Sequence, residues 1–207
     1  SLSASSFTYD GTEKKPEITV KNGSKQLTSG TDYTVSYKNN VNAGTASVTI
    51  TGKGSYSGSQ KKEFTITPAD FTKASVSLSA SSFTCDGTEK KPNVTVKAGN
   101  SQLVLNRDYT VSYKNNINVG TASATITGIG NYSGSVTKDF TITAATFTGV
   151  TVTLSDSSFT YDGSEKTPGV TVKAGSKQLT LNKDYTLAYT DNTNAGTATV
   201  TITGKGS

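Results

Sequence analysis

Apolar and polar residues alternate with a period of two along most of this chain. The alternation is clearest in four early segments: 17–21 (EITVK), 32–37 (DYTVSY), 44–51 (GTASVTIT) and 63–67 (EFTIT). Within 44–51, Ala46, Val48 and Ile50 fall on one face, and small polar residues fall on the other. This alternation predicts antiparallel strands with one buried face, and threonine suits the exposed face of such strands. No segment has helical spacing, so the sequence predicts an all-β protein.

The same pattern occurs three times without a shift in register. Phe7, Phe83 and Phe159 are each separated by 76 residues, and aligned tyrosines, prolines and glycines recur at the same interval. A unit of 76 residues is long enough to form a small domain with its own core. We therefore predict three tandem repeats, named here repeat 1 (1–68), repeat 2 (69–144) and repeat 3 (145–207).

Turn-forming residues separate the predicted strands. Asn22-Gly23-Ser24 is typical of a tight hairpin, whereas 38–44 and 52–55 are typical of loops. Six or seven short strands with such turns predict an immunoglobulin-like (Ig-like) β-sandwich in each repeat. The predicted connections, Pro68–Asp70 and Ala144–Thr146, are short, so we expect three sandwiches joined into an elongated rod.

Only repeat 2 contains every predicted strand. Repeat 1 has no counterpart of 71–76, so its first strand is incomplete. Repeat 3 has no counterpart of 132–143, so it lacks its last strand. An absent last strand would leave an open sheet edge, which is a template for pairing with another chain.

Composition excludes several classes of function. The chain has 207 residues, a net charge of +5 and no histidine or tryptophan. Without histidine, the commonest acid–base group and metal ligand near neutral pH is missing. The lysines are scattered, which argues against nucleic-acid binding. No apolar run is long enough to span a membrane. We expect no catalysis, no cofactor and no metal.

The recurring motifs resemble the tandem Ig-like repeats of bacterial surface proteins, the MBG or YDG-type adhesin repeats. In repeat 1 the resemblance is carried by the following motifs: 7–11 (FTYDG), 30–33 (GTDY), 42–46 (NAGTA), 52–54 (GKG) and 64–69 (FTITPA). It extends over essentially the whole chain. The resemblance implies a secreted or wall-attached protein of a bacterium, plausibly Gram-positive, in which such repeats act as stalks beside effector domains.

Two kinds of position are candidates for contact with a partner. The first is an Asn-rich loop that occurs in repeats 1 and 2: Lys38, Asn39, Asn40, Lys114, Asn115 and Asn116. Its alternative interpretation is an ordinary connecting loop. The second is Tyr56 with its counterpart Tyr132, which lie in Gly-rich segments and could form a platform for a sugar.

Three further features have structural interpretations. Asp10-Gly11 recurs in each repeat, and we interpret it as a turn rather than a calcium site. Lysines such as Lys14 are expected on turns or polar faces, which argues against a Lys–Asn isopeptide crosslink. Cys85, the single cysteine, replaces an aligned tyrosine, and we interpret it as a small packing residue. Ala124 also replaces a valine, a loss of volume for which Leu105 or Ile129 could compensate.

Two functions remain open at this stage. The first is a stalk or spacer that extends an effector domain from the cell wall, with the flanking domains of a longer chain as its partners. The second is a multivalent binding module for a host protein, such as an immunoglobulin, or for a glycan. Near-identical copies would give such a module avidity.

Overall fold

A computed structural model describes residues 1–205 and confirms the all-β prediction. Within these residues there are twenty strands and no α-helix. The single helical element is a 3₁₀ turn at Phe71–Lys73, which Asp70 caps by accepting a hydrogen bond from the Thr72 N–H. The strands follow the period of two in the apolar and polar residues of the sequence.

Repeat 1 contains six strands. They are β1 (Ser6–Thr8), β2 (Lys21–Asn22), β3 (Lys25–Gln26), β4 (Tyr33–Lys38), β5 (Gly44–Gly52) and β6 (Ser59–Thr67). Four of them form one sheet in the order β1-β6-β5-β4, and β2 pairs with β3 as a separate hairpin. The hairpin predicted at Asn22-Gly23-Ser24 is confirmed, because Asn22 pairs with Lys25 and Gly23 has a positive φ of 61°.

Repeat 2 contains nine strands. They are β7 (Ala69–Asp70), β8 (Ser75–Leu78), β9 (Ser82–Thr84), β10 (Val94–Ala98), β11 (Ser101–Gln102), β12 (Tyr109–Lys114), β13 (Gly120–Gly128), β14 (Tyr132–Ser133) and β15 (Ser135–Thr143). They form a four-stranded sheet β12-β13-β15-β9, a three-stranded sheet β11-β10-β8, and the pair β14-β7.

Repeat 3 contains five strands within the described residues. They are β16 (Thr151–Leu154), β17 (Val170–Ala174), β18 (Lys177–Gln178), β19 (Tyr185–Thr190) and β20 (Thr199–Gly204). The first three form one sheet, and β19 pairs with β20. Strand β20 begins later than its counterparts because residues 44–46 of repeat 1 owe their strand conformation to pairing with β6. Repeat 3 has no such neighbour among the described residues.

One predicted strand is wrong in repeat 1. Residues 17–20 form only a single bridge, between Leu2 and Ile18, and only Lys21 of the predicted strand lies in a strand, β2. The aligned segment of repeat 2, β10, is a full strand because β8 pairs with it over four residues. In repeat 1 this segment is held by that bridge and by two flanking hydrogen bonds, from the Ser3 N–H to the Glu17 carbonyl and from the Thr19 N–H to the Ser1 carbonyl.

The chain divides into two compact units. The first comprises Ser1–Ser79, Pro92–Tyr113 and Ala124–Lys138, and the second comprises Ala80–Lys91, Lys114–Ser123 and Asp139–Ser207. Strand β13 and strand β15 each contribute to both units. The predicted repeat boundaries at 68/69 and 144/145 therefore stay a prediction.

Each unit has its own buried apolar residues. In the first unit, Ala46, Phe64 and Ile66 form a cluster on which Leu2, Phe7, Tyr9 and Tyr37 pack. The aromatic part of that unit's core also includes Phe71 and Tyr109. In the second unit, the fully or nearly fully buried residues are Cys85, Ala122, Phe140, Ile142, Val172 and Tyr185.

Candidate functional site

The first and last strands of repeat 1 lie side by side and run parallel. Strand β1 pairs with β6 in the register Ser6 to Thr65, Phe7 to Ile66 and Thr8 to Thr67. The Tyr9 N–H donates to the Thr67 carbonyl and the Thr65 N–H donates to the Ser5 carbonyl, both at 2.9 Å. We call this parallel pairing of an early strand with the last strand the clamp of the repeat.

Repeat 2 has the same clamp between β9 and β15. The Cys85 N–H donates to the Thr143 carbonyl at 2.8 Å, and the Thr141 N–H donates to the Ser81 carbonyl at 2.9 Å. The Thr143 hydroxyl also donates to the Phe83 carbonyl at 3.2 Å. When the start of one strand and the end of its parallel neighbour are pulled apart, the force acts along the strands. All the hydrogen bonds of the clamp then resist the force together.

The connection between repeats 1 and 2 is short and is held by side-chain hydrogen bonds. Only Pro68 separates β6 from β7. In the loop before β14, Oδ1 of Asn131 accepts from the Ala43 N–H at 2.8 Å. Its Nδ2 donates to Oδ1 of Asn42 at 3.1 Å, and its carbonyl accepts from the Ala69 N–H at 2.9 Å. Asn131 thus connects repeat 1, the linker and repeat 2 within the first compact unit.

Aromatic rings cover the same connection. The Tyr9 ring of repeat 1 contacts the Tyr132 ring edge-on, with centroids 5.6 Å apart, and Tyr132 contacts Phe71 edge-on at 6.3 Å. Burial, followed by the neighbouring Tyr9, raises the pKa of Tyr132. Gly128 is required beneath Phe71, because a Cβ there would lie 2.9 Å from the ring. We call Tyr9, Asn42, Ala43, Asn131 and Tyr132 the junction.

The two predicted platform tyrosines lie in different surroundings. Tyr132 is half-buried in the junction, so its ring faces other aromatic rings of the chain. Tyr56 is also half-exposed, and the ammonium of Lys25 lies 5.9 Å from its ring centroid. The structure therefore does not give these aligned residues one common surface.

The Asn-rich loop contains both exposed and buried members. Lys38 and Asn39 are exposed, as are Lys114 and Asn115. Asn39 and Asn115 have positive φ angles, of 57° and 54°. The third residue of each loop is buried instead: Asn40 and Asn116 are both only 8 % exposed.

These two buried asparagines hold neighbouring backbone rather than face solvent. The Asn40 amide donates to the Lys14 carbonyl at 3.1 Å, and the Lys14 N–H donates back to the Asn40 carbonyl at 2.7 Å. Asn116 and Lys90 repeat both hydrogen bonds. As surface contacts for a partner, Asn40 and Asn116 are unsuitable, because a buried amide that already has a partner cannot be reached.

The Asp10-Gly11 motif forms the turn that the sequence predicts. The Asp10 carboxylate accepts from the N–H of Thr12 at 2.9 Å and from its hydroxyl at 2.6 Å, and Gly11 has a φ of 82°. Asp10 also forms an ion pair with Lys14. The hydrogen bond from Lys14, followed by those from Thr12, lowers the pKa of Asp10 below its usual range. The same arrangement occurs at Asp86 and Asp162.

The expected position of Lys14 is wrong, since its side chain is only 10 % exposed. The ion pair with Asp10 and a 3.0 Å hydrogen bond to the Thr12 hydroxyl satisfy the buried ammonium. Because the ammonium is paired and hydrogen-bonded, its burial is not strongly destabilising. The expectation that no isopeptide crosslink forms stays a prediction, which an intact mass measurement would check.

Cys85 is a packing residue, as its alignment suggests. It is 7 % exposed, and its thiol donates to the Ile117 carbonyl at 3.5 Å. Ala124 is fully buried, whereas Leu105 is 50 % exposed. Leu105 therefore does not compensate for the lost core volume; Ile129, which is half-buried, remains the candidate for that role.

The described residues show no group of three or more His, Cys, Asp or Glu side chains that could hold a metal ion. No helix within residues 1–205 is long and apolar enough to cross a membrane. Comparisons with protein-family models, with curated proteins and with solved structures find no match to this chain.

Proposed function

We propose that this chain is a non-catalytic, load-bearing spacer in an extracellular protein of a bacterium. In this proposal, three tandem Ig-like β-sandwiches of 76 residues form an elongated rod. The rod holds an effector domain away from a cell wall, as in a Gram-positive surface adhesin. Its flanking partners are other domains of a longer chain.

The observation that carries the proposal is the parallel clamp in repeats 1 and 2. A tether that is pulled at both ends transmits force through repeat 1 from its first strand, β1, to its last strand, β6. Because β1 is parallel to β6, that force shears the backbone hydrogen bonds together instead of opening them one by one. Strand β9 and strand β15 have the same relation. A spacer under tension needs this property, and resistance to forced unfolding is governed by the unfolding rate.

The junction supports the same proposal. A stalk gains reach only if successive domains do not fold back on one another. A long flexible linker would permit such folding back. Here a single proline separates β6 from β7, and Asn131 adds two side-chain hydrogen bonds across the connection. We expect small-angle X-ray scattering of the chain to give an elongated particle.

The surface location rests on the resemblance to MBG and YDG-type repeats. It also agrees with a composition rich in Thr, Ser and Gly and with a single cysteine. Antibodies raised against the chain should label intact cells of the source organism. Labelling only after the cells are lysed would contradict this part of the proposal.

Single-molecule force spectroscopy of the chain, tethered at its two ends, tests the mechanical part. Tyr9→Pro removes the N–H that donates to Thr67 and should lower the unfolding force of one repeat. Tyr9→Ala is the matched variant, because it also removes the ring but keeps the N–H. We expect the force to fall further in Tyr9→Pro than in Tyr9→Ala.

A second control separates mechanical from equilibrium effects. Thr19→Pro removes one backbone hydrogen bond outside the clamp, the 3.0 Å bond from the Thr19 N–H to the Ser1 carbonyl. It should lower the free energy of unfolding in urea but leave the unfolding force of repeat 1 unchanged. If Tyr9→Pro and Thr19→Pro reduce the force equally, the clamp does not carry the load.

Binding of a host immunoglobulin or glycan is the outcome that would displace the spacer. The exposed members of the Asn-rich loops are Lys38, Asn39, Lys114 and Asn115. Saturable binding of the chain on a glycan array or to immobilised immunoglobulin, lost when these four residues are changed to alanine, would favour a binding module. A spacer should show no such binding.

A further inference from the structure

Repeat 1 contains the single Asn-Gly pair of the sequence, Asn22-Gly23, at the tip of the β2–β3 hairpin. Asn22 pairs with Lys25, so Gly23 and Ser24 form a two-residue turn, and Gly23 has a φ of 61°. The aligned hairpins of repeats 2 and 3 have the same register, with alanine in place of Asn22 and glycine φ angles of 58° and 59°. The geometry of the turn is therefore common to the three repeats, and only the chemistry of its side chains differs.

The folded hairpin leaves two groups of this turn unoccupied. Asn22 is exposed, and within residues 1–205 neither its side-chain amide nor the Gly23 N–H has a hydrogen-bond partner. Apart from its neighbours in the chain, a Cβ built on Gly23 would meet no atom within 4 Å. The Asn22 side chain can therefore turn towards the Gly23 nitrogen without displacing other residues. Glycine itself has no Cβ to obstruct the approach.

Two lysines add a favourable electrostatic effect. Lys21 precedes Asn22, and Lys25 is its partner across the hairpin. A nearby positive charge stabilises the anion that remains when the Gly23 N–H loses its proton. Both lysines are exposed, so salt screens this effect. The amide carbon, an unobstructed nitrogen and a positive potential thus occur together at Asn22.

We propose that Asn22 is a self-modification site, at which the chain deamidates without an enzyme. After losing its proton, the Gly23 nitrogen attacks Cγ of Asn22, a C–N bond forms, and the side-chain nitrogen leaves as ammonia. The product is a five-membered succinimide. Water then adds to one of the two ring carbonyls and breaks the C–N bond there. Opening at Cγ gives aspartate, whereas opening at the α-carbonyl gives isoaspartate, so one water is consumed for each ammonia released.

The three Asp-Gly turns of the chain are protected from the corresponding cyclisation. The Asp10 carboxylate accepts from the N–H of Thr12 at 2.9 Å and from its hydroxyl at 2.6 Å, and it pairs with Lys14. Asp86 and Asp162 are held in the same way. Each carboxylate would have to leave these partners to approach the nitrogen of the following glycine. The modification is therefore confined to the hairpin of repeat 1.

Isoaspartate formation would open the hairpin without unfolding the repeat. It adds one atom to the backbone between residue 22 and Gly23, and the register of a hairpin depends on the length and type of its turn. The residues that pair in β2 and β3 are all exposed, so loss of their pairing uncovers little apolar surface. The modification also adds one negative charge between two lysines.

Aging of the purified whole chain in mildly alkaline buffer tests the proposal. A glutamate-specific protease releases the fragment 18–63, which should gain the mass expected when one NH₂ group is replaced by OH. Fragmentation in the mass spectrometer should place this gain at residue 22. The aged chain should release one ammonia per molecule and should become a substrate for a purified isoaspartate methyltransferase.

Asn100 is the internal control, because it is exposed in the equivalent turn of repeat 2 but is followed by Ser101, which has a Cβ and lies in β11. It should deamidate at least about tenfold more slowly than Asn22, a difference of about 1.4 kcal/mol in activation free energy. Asn22→Ala is the matched variant, since alanine occupies this position in repeats 2 and 3. It should reduce methylation of the aged chain at least about tenfold.

A comparison with the chain unfolded in guanidinium chloride tests the role of the fold. Because the folded hairpin leaves both reacting groups unoccupied, Asn22 should deamidate in the native chain at a rate within about tenfold of the unfolded rate. Slower reaction than this in the native chain would overturn the proposal, since the hairpin would then protect Asn22. Deamidation of Asn100 as fast as Asn22, or equal methylation of aged Asn22→Ala and the unmodified sequence, would also overturn it.

Discussion

The amide hydrogen of Ala43 should report directly on the junction between repeats 1 and 2. This N–H donates to Oδ1 of Asn131 at 2.8 Å, and Nδ2 of Asn131 donates to Asn42 at 3.1 Å. Asn131→Ala removes both hydrogen bonds while leaving the Tyr9–Tyr132 contact. A net contribution of about 0.5–1.5 kcal/mol for each bond gives about 1–3 kcal/mol for the pair. Because Asn131 is half-buried, we expect the lower part of this range.

Hydrogen exchange measured by NMR is the assay. A decrease of about 1 kcal/mol in the free energy that protects the Ala43 amide from exchange corresponds to about fivefold faster exchange. The amide of Val119, which aligns with Ala43 in repeat 2, is the internal control and should not change. Asn131→Asp keeps an acceptor for Ala43 but places a carboxylate oxygen against the Asn42 oxygen. It should therefore retain Ala43 protection while lowering the free energy of unfolding.

Two results would refute this account of the junction. Unchanged exchange at Ala43 in Asn131→Ala would mean that the hydrogen bond does not form or does not limit exchange. Equal acceleration of Ala43 and Val119 would mean that the substitution destabilises the chain globally rather than at the junction.

Three further predictions concern single side chains. Asn116→Ala leaves the Lys90 carbonyl without its 3.0 Å donor and should cost about 1–3 kcal/mol in urea unfolding, whereas exposed Lys114→Ala should change stability by less than about 0.5 kcal/mol. Because the folded pKa of Asp10 is lowered, its stabilisation is complete above about pH 4 and is lost as the pH falls further; Asp10→Asn should flatten the acid limb of a stability–pH curve. The Cys85 thiol should react with a disulfide reagent at least about tenfold more slowly in the native chain than in urea, and equal rates would contradict its burial.

The class of structure and several local features can be inferred from the sequence pattern alone. Period-two alternation specifies which side chains share a face, so the all-β class and the strands 33–38 and 44–52 follow from it. The Asp10-Gly11 turn also follows, because its hydrogen bonds span two residues and its positive φ requires only glycine. The packing role of Cys85 could be inferred because the aligned residues in the other repeats are aromatic.

The contacts between distant segments are visible only in the folded chain. The pattern of a strand reports its buried face but not its neighbour, so the parallel pairing of β1 with β6 could not be inferred. The sequence pattern of 17–20 resembles that of its aligned strand β10, but only a bridge forms there, because strand formation requires a paired neighbour as well as a suitable sequence.

The junction and the buried asparagines depend on contacts that no local pattern encodes. Asn131 meets Ala43 across 88 positions, and Asn40 meets Lys14 across 26. In the sequence both asparagines look like ordinary loop residues, because polar side chains in loops are usually exposed. Their burial depends on backbone from distant parts of the chain.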